Sequence, residues 1–397
     1  MKISYRNNSV IFMAALCSLI PLLKTTIIAK VLNFIDLSLY FTHISVLALV
    51  SPIFTFAIVD YIYRRDNNSI DNALFFQVIC NSTSLFSSIF LFIYFNYALS
   101  IDSILIYIFI FDVILTSAFN NFLKYFRVKF EPSFVYKITL TRSAIDVFIL
   151  FCFSISYQLS IYNVLSSSIL SFFVMLCFLS YSYLASSNGK LLLSIKFTYN
   201  TLKGNIKEWF SYFTLVTLSS FSAYFDKIFA QRLLSEKDFI DFNFFTFTRA
   251  IILSASAFLF TLYYKRSSEL QNNGEWILFI SKCVRISFLL FILFFIINLS
   301  YLLFYFGQTS VIDLAISYFF NILFFSFFID LFVFIRGSSF LRYFYSISYL
   351  ILFFISSAFF MRVMDINFNA LSLCLVMLFS KFVSVFVSSF FVYKELK

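Results

Sequence analysis

Charge is scarce in this chain: 12% of its 397 residues are Asp, Glu, Lys or Arg. Soluble domains carry roughly 25%, so an ordinary water-facing surface is excluded. Histidine occurs once, at His43, which rules out His-based metal clusters and argues against His-dependent catalysis. Glycine numbers 5 and proline 3. With so little glycine, serine and alanine must supply the small positions where helices approach closely. The cysteines (Cys17, Cys80, Cys152, Cys177, Cys283, Cys374) form no C-x-x-C pair. They fall in or beside apolar runs and read as buried hydrophobes, not as disulfides or metal ligands.

What is present is apolar. Hydrophobic residues make up 61% of the chain, with 64 Phe and 25 Tyr, and the mean hydropathy is +0.93. A helix needs about 20 mostly apolar residues to cross the hydrocarbon core, whereas a barrel strand would alternate with polar residues. The runs here are long and do not alternate. The fold class expected is therefore an all-α integral membrane protein with twelve transmembrane helices. The spans expected are 10–32, 40–62, 74–97, 101–123, 138–157, 161–184, 210–234, 242–264, 286–306, 311–335, 343–361 and 367–393. The first follows Lys2 and Arg6 as a signal peptide would. Its apolar run is too long and lacks a small-residue cleavage site, so a retained span is expected. Pro21 and Pro52 interrupt spans one and two and either permit kinks or are simply accommodated.

The loops set the orientation. Lys2, Arg6, Arg64, Arg65, Lys124, Arg127, Lys129, Lys190, Lys196, Lys265, Arg266, Arg336, Arg342 and Lys394 fall on one side, while the other offers little beyond Lys237 and Arg362. By the positive-inside rule both termini are cytoplasmic. The net charge of +10 then reflects cytoplasmic loops, and nucleic acid is not expected as a partner.

The chain reads as two six-helix lobes, 1–184 and 210–397, joined by a cytoplasmic linker, 185–209. Within the linker Leu192, Ile195, Tyr199, Leu202 and Ile206 recur at helical spacing, with Lys196, Lys203 and Lys207 off that stripe. Such a segment lies on an anionic inner leaflet. The lobes look like a repeat. A shift of 201 residues lays Ile27-Ile28-Ala29 on Ile228-Phe229-Ala230 and Tyr63-Arg64-Arg65 on Tyr264-Lys265-Arg266. Parallel repeats of this kind place a substrate site in a central cavity between lobes.

Within the spans lie the cations Lys24, Arg142, Lys227, Arg249 and Lys381 and the acids Asp112, Asp146 and Asp226. A charge at the bilayer centre costs about 2.5–3.5 kcal/mol on insertion scales, so such residues face a cavity or a partner. The surplus of cations favours an anionic cargo, with Lys24, Lys227, Arg249 and Lys381 as the anion site. Lys24 and Asp226 sit at matching depth in spans one and seven and are expected to meet. Arg142 and Asp146 share a helix face four residues apart, as a structural pair or a functional one. Asp112 either neutralises a cation or carries a coupling proton. Coupling or charge balancing is thus the role expected for Asp112, Asp226, Asp146 and Arg142. No cofactor or metal is expected.

Twelve spans, a basic central linker and cytoplasmic termini resemble the polysaccharide flippases of the multidrug/oligosaccharidyl-lipid/polysaccharide (MOP) superfamily. Tyr224-Phe225-Asp226-Lys227-Ile228, followed by Leu233-Leu234-Ser235-Glu236-Lys237-Asp238, is similar to the span-seven pattern of that family, although its loop glycines are missing here. The resemblance implies a Wzx-type transporter of the inner membrane, not an enzyme. Its cargo would be an undecaprenyl-diphosphate-linked O-antigen or related oligosaccharide, moved to the periplasmic leaflet by alternating access. Membrane lipids, a polysaccharide polymerase and a chain-length regulator are the further partners implied. Two alternatives stand: an O-antigen polymerase, which would carry a large outer loop with paired arginines, and a drug or cation antiporter, which would favour an acidic cavity.

Overall fold

The structure, a computed structural model, describes residues 5–54, 85, 88–98, 101–129, 132–156, 159–186, 203–246, 270–306, 329, 332–333, 336–362 and 369–397. Among these residues every regular element is helical. Hydrocarbon offers no hydrogen-bond partner, so apolar runs satisfy their backbone groups within the segment. The helices are α1 (Tyr5–Val31), α2 (Phe34–Phe54), α3 (Ser103–Lys129), α4 (Pro132–Ser156), α5 (Ile161–Ser186) and α6 (Ile206–Leu233). They continue as α7 (236–246), α8 (Asn273–Phe306), α9 (Ser339–Arg362) and α10 (Ala370–Leu396). A π-helical turn occupies Tyr94–Ala98. α1 runs through Pro21, and α2 through Pro52.

The stretches Ser103–Leu123, Phe134–Ile155, Ile161–Tyr181, Phe340–Arg362 and Ala370–Leu396 are each long and apolar enough to cross a membrane. Their polarity is inverted relative to a soluble helix. On α10 the exposed face is Phe379, Phe382, Phe386 and Phe390, while Ser380, Ser384 and Ser388 are buried. Large apolar side chains turned outward suit a lipid solvent, and the serines let α9 and α10 approach closely. Ser348 of α9 meets Ser384 of α10 at 2.6 Å.

Two expectations are corrected. The ninth span is expected at 286–306, but α8 begins at Asn273 and has 34 residues. At 1.5 Å per residue it is about 51 Å long, well beyond a hydrocarbon core of about 30 Å. Trp276, Phe279 and Cys283 recur at helical spacing and are buried in the extension, so packing extends the helix past its apolar run. The cysteines are not uniformly buried. Cys283 and Cys374 are, whereas Cys152 and Cys177 lie on exposed helix faces, where a thiol is apolar enough to sit among lipid tails.

The chain divides into two compact units, Met1–Ser220 and Phe221–Lys397. In the first, α1 packs on α4, and α3 and α4 pack on α5. Leu115, Phe119 and Phe122 there meet Val135, Ile138, Phe172 and Met175. In the second, α9 packs along α10, and Trp276, Phe332, Leu341 and Val392 share one core. Most of the expected linker, residues 187–202, lies outside the described residues, as do Tyr63-Arg64-Arg65, Tyr264-Lys265-Arg266 and Arg249.

One loop in each unit shows the same local hydrogen bonding. In the first unit Leu32 N–H donates to Ile28 O, and Leu37 N–H donates to Asn33 O. In the second, Leu234 N–H donates to Ala230 O, and Phe239 N–H donates to Ser235 O. Each following helix is capped alike. Asp36 N–H donates to Asn33 Oδ1 at 2.8 Å, and Asp238 N–H donates to Ser235 Oγ at 3.2 Å. The acid side chains reach back, with Asn33 Nδ2 on Asp36 Oδ2 and Ser235 Oγ on Asp238 Oδ2. These partners correspond at a shift of 202 residues, not 201. One residue is about 100° of helix rotation, so the choice of register changes which side chains are compared. Lys24 now matches Asp226, a cation matched to an acid.

Glycine is scarce, but Gly337 is where the backbone needs it. Arg336 N–H and Gly337 N–H both donate to Phe332 O, at 2.8 and 2.9 Å. A Cβ on Gly337 would lie 2.7 Å from Val333 O and 2.9 Å from Val333 Cα. Gly337→Ala should therefore cost about 1–3 kcal/mol of overpacking strain. Gly204→Ala, where no atom lies within 4 Å, should stay within about 0.5 kcal/mol of wild type. Thermal unfolding of both variants in detergent checks this, and equal midpoints would contradict it.

Candidate functional site: buried charges in each unit

In the amino-terminal unit two acid–base pairs are joined through one helix. Lys24 of α1 donates to both carboxylate oxygens of Asp146 on α4, at 2.8 and 2.7 Å. His43 of α2 places Nε2 2.8 Å from Asp112 Oδ2 on α3. Both acids are 3% exposed and His43 is 1% exposed, so neither pair is screened by bulk water. α5 serves both: Ser167 Oγ donates to Asp146 Oδ1 at 2.9 Å, and Ser168 Oγ donates to Asp112 Oδ1 at 3.1 Å. Consecutive residues on a helix point about 100° apart, which lets α5 serve two helix pairs at once. The His43 ring stacks on Phe109 with centroids 4.3 Å apart, and among the described residues its buried Nδ1 has no hydrogen-bond partner.

This arrangement gives Lys24 a partner that the sequence reading did not name for it, Asp146 in its own unit. Asp146 in turn does not pair with Arg142, although the two are one helical turn apart. The carboxylate of Asp146 is filled by Lys24 and Ser167, and the Arg142 guanidinium turns to aromatic faces instead. It lies 4.3 Å from the Phe172 ring centroid and 5.9 Å from that of Phe119. Arg142 Nη2 also approaches Ser143 Oγ at 3.3 Å.

In the carboxy-terminal unit, Asp226 of α6 is 1% exposed. It accepts a hydrogen bond from Tyr349 Oη at 3.1 Å and one from the Lys227 backbone N–H at 2.9 Å. The Lys381 ammonium of α10 lies 5.5 Å from the Tyr345 ring centroid and 5.6 Å from that of Tyr349. Tyr349 of α9 thus serves a carboxylate with its hydroxyl and a cation with its ring. A ring face attracts a cation without cancelling its charge. The partly buried Lys227 follows Asp226 directly.

Sequence reasoning does not single out His43, Ser167, Ser168, Tyr345 or Tyr349 as members of these clusters. His43 carries a usable signal, being an ionisable side chain inside an expected span. The serines and tyrosines are too common in this chain to stand out. Among the described residues no group of three or more His, Cys, Asp or Glu side chains is placed to hold a metal ion.

A buried pair broken on one side leaves an uncompensated charge, which costs about 3–5 kcal/mol, whereas replacing both partners by apolar groups costs far less. Lys24→Met and Asp146→Leu should each lower the thermal midpoint clearly, and the double variant should recover most of the loss. A double-mutant cycle in detergent measures this coupling. Simple additivity of the two losses would rule out the pair as drawn.

No protein-family model matches the chain, and no curated protein does. Solved structures do. A single-residue mutant of the Vibrio cholerae MATE transporter VcmN superposes with a TM-score of 0.67 at 11% identity, covering 98% of this chain and 94% of that one. A MOP superfamily transporter from Pyrococcus furiosus, described as having a binding pocket of reverse polarity, gives 0.64 at 11% identity over 98% and 94% of the two chains. An outward-facing multidrug resistance MATE family transporter gives 0.63 at 11% identity with the same coverage. The chain has the fold of the MATE transporters of the MOP superfamily, an all-helical, multi-pass membrane transporter fold.

Proposed function

We propose that the chain is a flippase for an anionic lipid-linked cargo, an undecaprenyl-diphosphate-linked oligosaccharide, moved across the bacterial inner membrane by alternating access. The observation that carries this reading is Lys381. Its ammonium sits deep in an apolar helix against two tyrosine rings, and a cation at that depth favours an anionic cargo. Lys227 adds a second, partly buried cation in the same unit. A diphosphate leaving water needs such charges, and a lysine serves it as a point charge. Both termini are read as cytoplasmic on the loop charges.

A drug antiporter of the same fold remains the alternative, and the acids argue against it. Asp112, Asp146 and Asp226, the carboxylates that would bind a cationic drug, are held by His43 and Ser168, by Lys24 and Ser167, and by Tyr349. The Asp112–His43 pair fits a different task, exchange of a coupling proton, because an ionisable pair inside a span is a natural relay and histidine has a second ring nitrogen to protonate.

The test is glycan export in a cell deleted for this gene. Complementation with the wild type should clear lipid-linked units from the cytoplasmic leaflet, and Lys227→Gln/Lys381→Gln should cut export at least about tenfold, the size of one lost charge contact, at equal protein level. Wild-type export by the double variant would end the anionic-cargo reading, and extrusion of cationic dyes would favour the antiporter. In proteoliposomes, Asp112→Asn should remove the response of transport to an imposed pH gradient. A retained response would take the proton from Asp112.

A further inference from the structure

Arg142 is the one charge of the amino-terminal cluster that the two acid–base pairs leave over. Its helical neighbour Asp146 is the acid it would meet by spacing, yet Lys24 holds both oxygens of that carboxylate and Ser167 adds a third contact. Asp112 is taken by His43 and Ser168. Among the described residues Arg142 has no carboxylate within salt-bridge range. It is held by the Phe172 and Phe119 rings and by Ser143, and it is only partly buried. A guanidinium carries five N–H donors in a rigid fork. Held over a ring face, the guanidinium spends no donor on a carboxylate among the described residues, and such a fork grips phosphate oxygens two at a time.

We propose that Arg142 is the phosphate-binding residue of the amino-terminal unit, with Phe172 as its platform, and that Lys24 acts on the cargo only indirectly, by keeping Asp146 away from Arg142. The inference rests on the reading of the cargo as a diphosphate. It reverses two roles expected from the sequence: Arg142 moves from charge balancing to binding, and Lys24 from binding to positioning.

The indirect role of Lys24 gives a test that a structural part would not pass. The full-length protein in detergent micelles is titrated with inorganic diphosphate, and binding is read by calorimetry. Arg142→Gln should weaken binding at least about tenfold, a loss of about 1.4 kcal/mol, and Arg142→Lys should weaken it less. Lys24→Met should also weaken binding, because the released Asp146 lies one turn from Arg142 and can pair with it. Lys24→Met/Asp146→Asn should restore affinity, since no carboxylate is left to compete. Equal affinity of Arg142→Gln and wild type overturns the assignment. If Lys227→Gln/Lys381→Gln loses binding in that same experiment, the proposed function survives without it. An unrestored double variant overturns the positioning role of Lys24. No diphosphate binding by wild type overturns the inference and the diphosphate reading together. Micelles doped with phosphatidylglycerol or with undecaprenyl diphosphate separate the sources of phosphate. Competition by the polyprenyl lipid alone supports a cargo site, and equal competition by phosphatidylglycerol reduces the contact to bulk lipid and overturns it.

Discussion

The two-pronged grip of Lys24 on Asp146 is the contact from which the amino-terminal unit takes its electrical layout. Deep in apolar surroundings a carboxylate must be answered in full, by charge and by hydrogen bonds. Lys24 supplies the charge from α1, and Ser167 supplies a further hydrogen bond from α5. With that acid complete, every other ionisable group nearby must find another arrangement. Asp112 takes the sole histidine of the chain, and Arg142 takes two phenylalanine faces. The network is therefore a sequence of consequences, each set by which partner had already been claimed.

The carboxy-terminal unit solves the same problem with different chemistry at matching places. The loops around Asn33 and Ser235 are capped alike, and the register they define pairs Lys24 with Asp226. An acid in place of a lysine would be exposed to the full desolvation cost without new partners. Tyr349 and the Lys227 backbone N–H provide them. The two loops share their capping geometry, while the positions eleven residues before Ile35 and Lys237, Lys24 and Asp226, carry opposite charges.

Helix content and the positions of most described helices were legible in the sequence, because hydrocarbon imposes long apolar runs and short punctuated loops. The start of α8 was not, since Trp276, Phe279 and Cys283 prolong that helix through packing, which hydropathy does not register. The shared capping of the loops at Asn33 and Ser235 was not legible, because matching Ile and Phe runs align almost equally well in neighbouring registers. The intramembrane charges were all visible, but their pairing was not. Spacing along a helix favoured Asp146 with Arg142, and a lysine 122 residues away in sequence took it instead. Tertiary competition of that kind leaves no trace in local pattern.

The serine seam of α9 and α10 has a mechanical side. Ser380 and Ser389 return their hydroxyls to carbonyls four residues back on their own helix, at 2.7 Å each, and Ser346 does the same at 3.0 Å. A hydroxyl satisfied within its own helix asks nothing of the helix opposite. Where leucine knobs would fill deep holes, these small side chains leave a shallow seam, and Ser348 and Ser384 tie it across the helices. Close contact brings the two helices together, and the hydrogen bonds of Ser348 with Ser384 and of Ser338 with Glu395 fix their register, as dowels do in a joint.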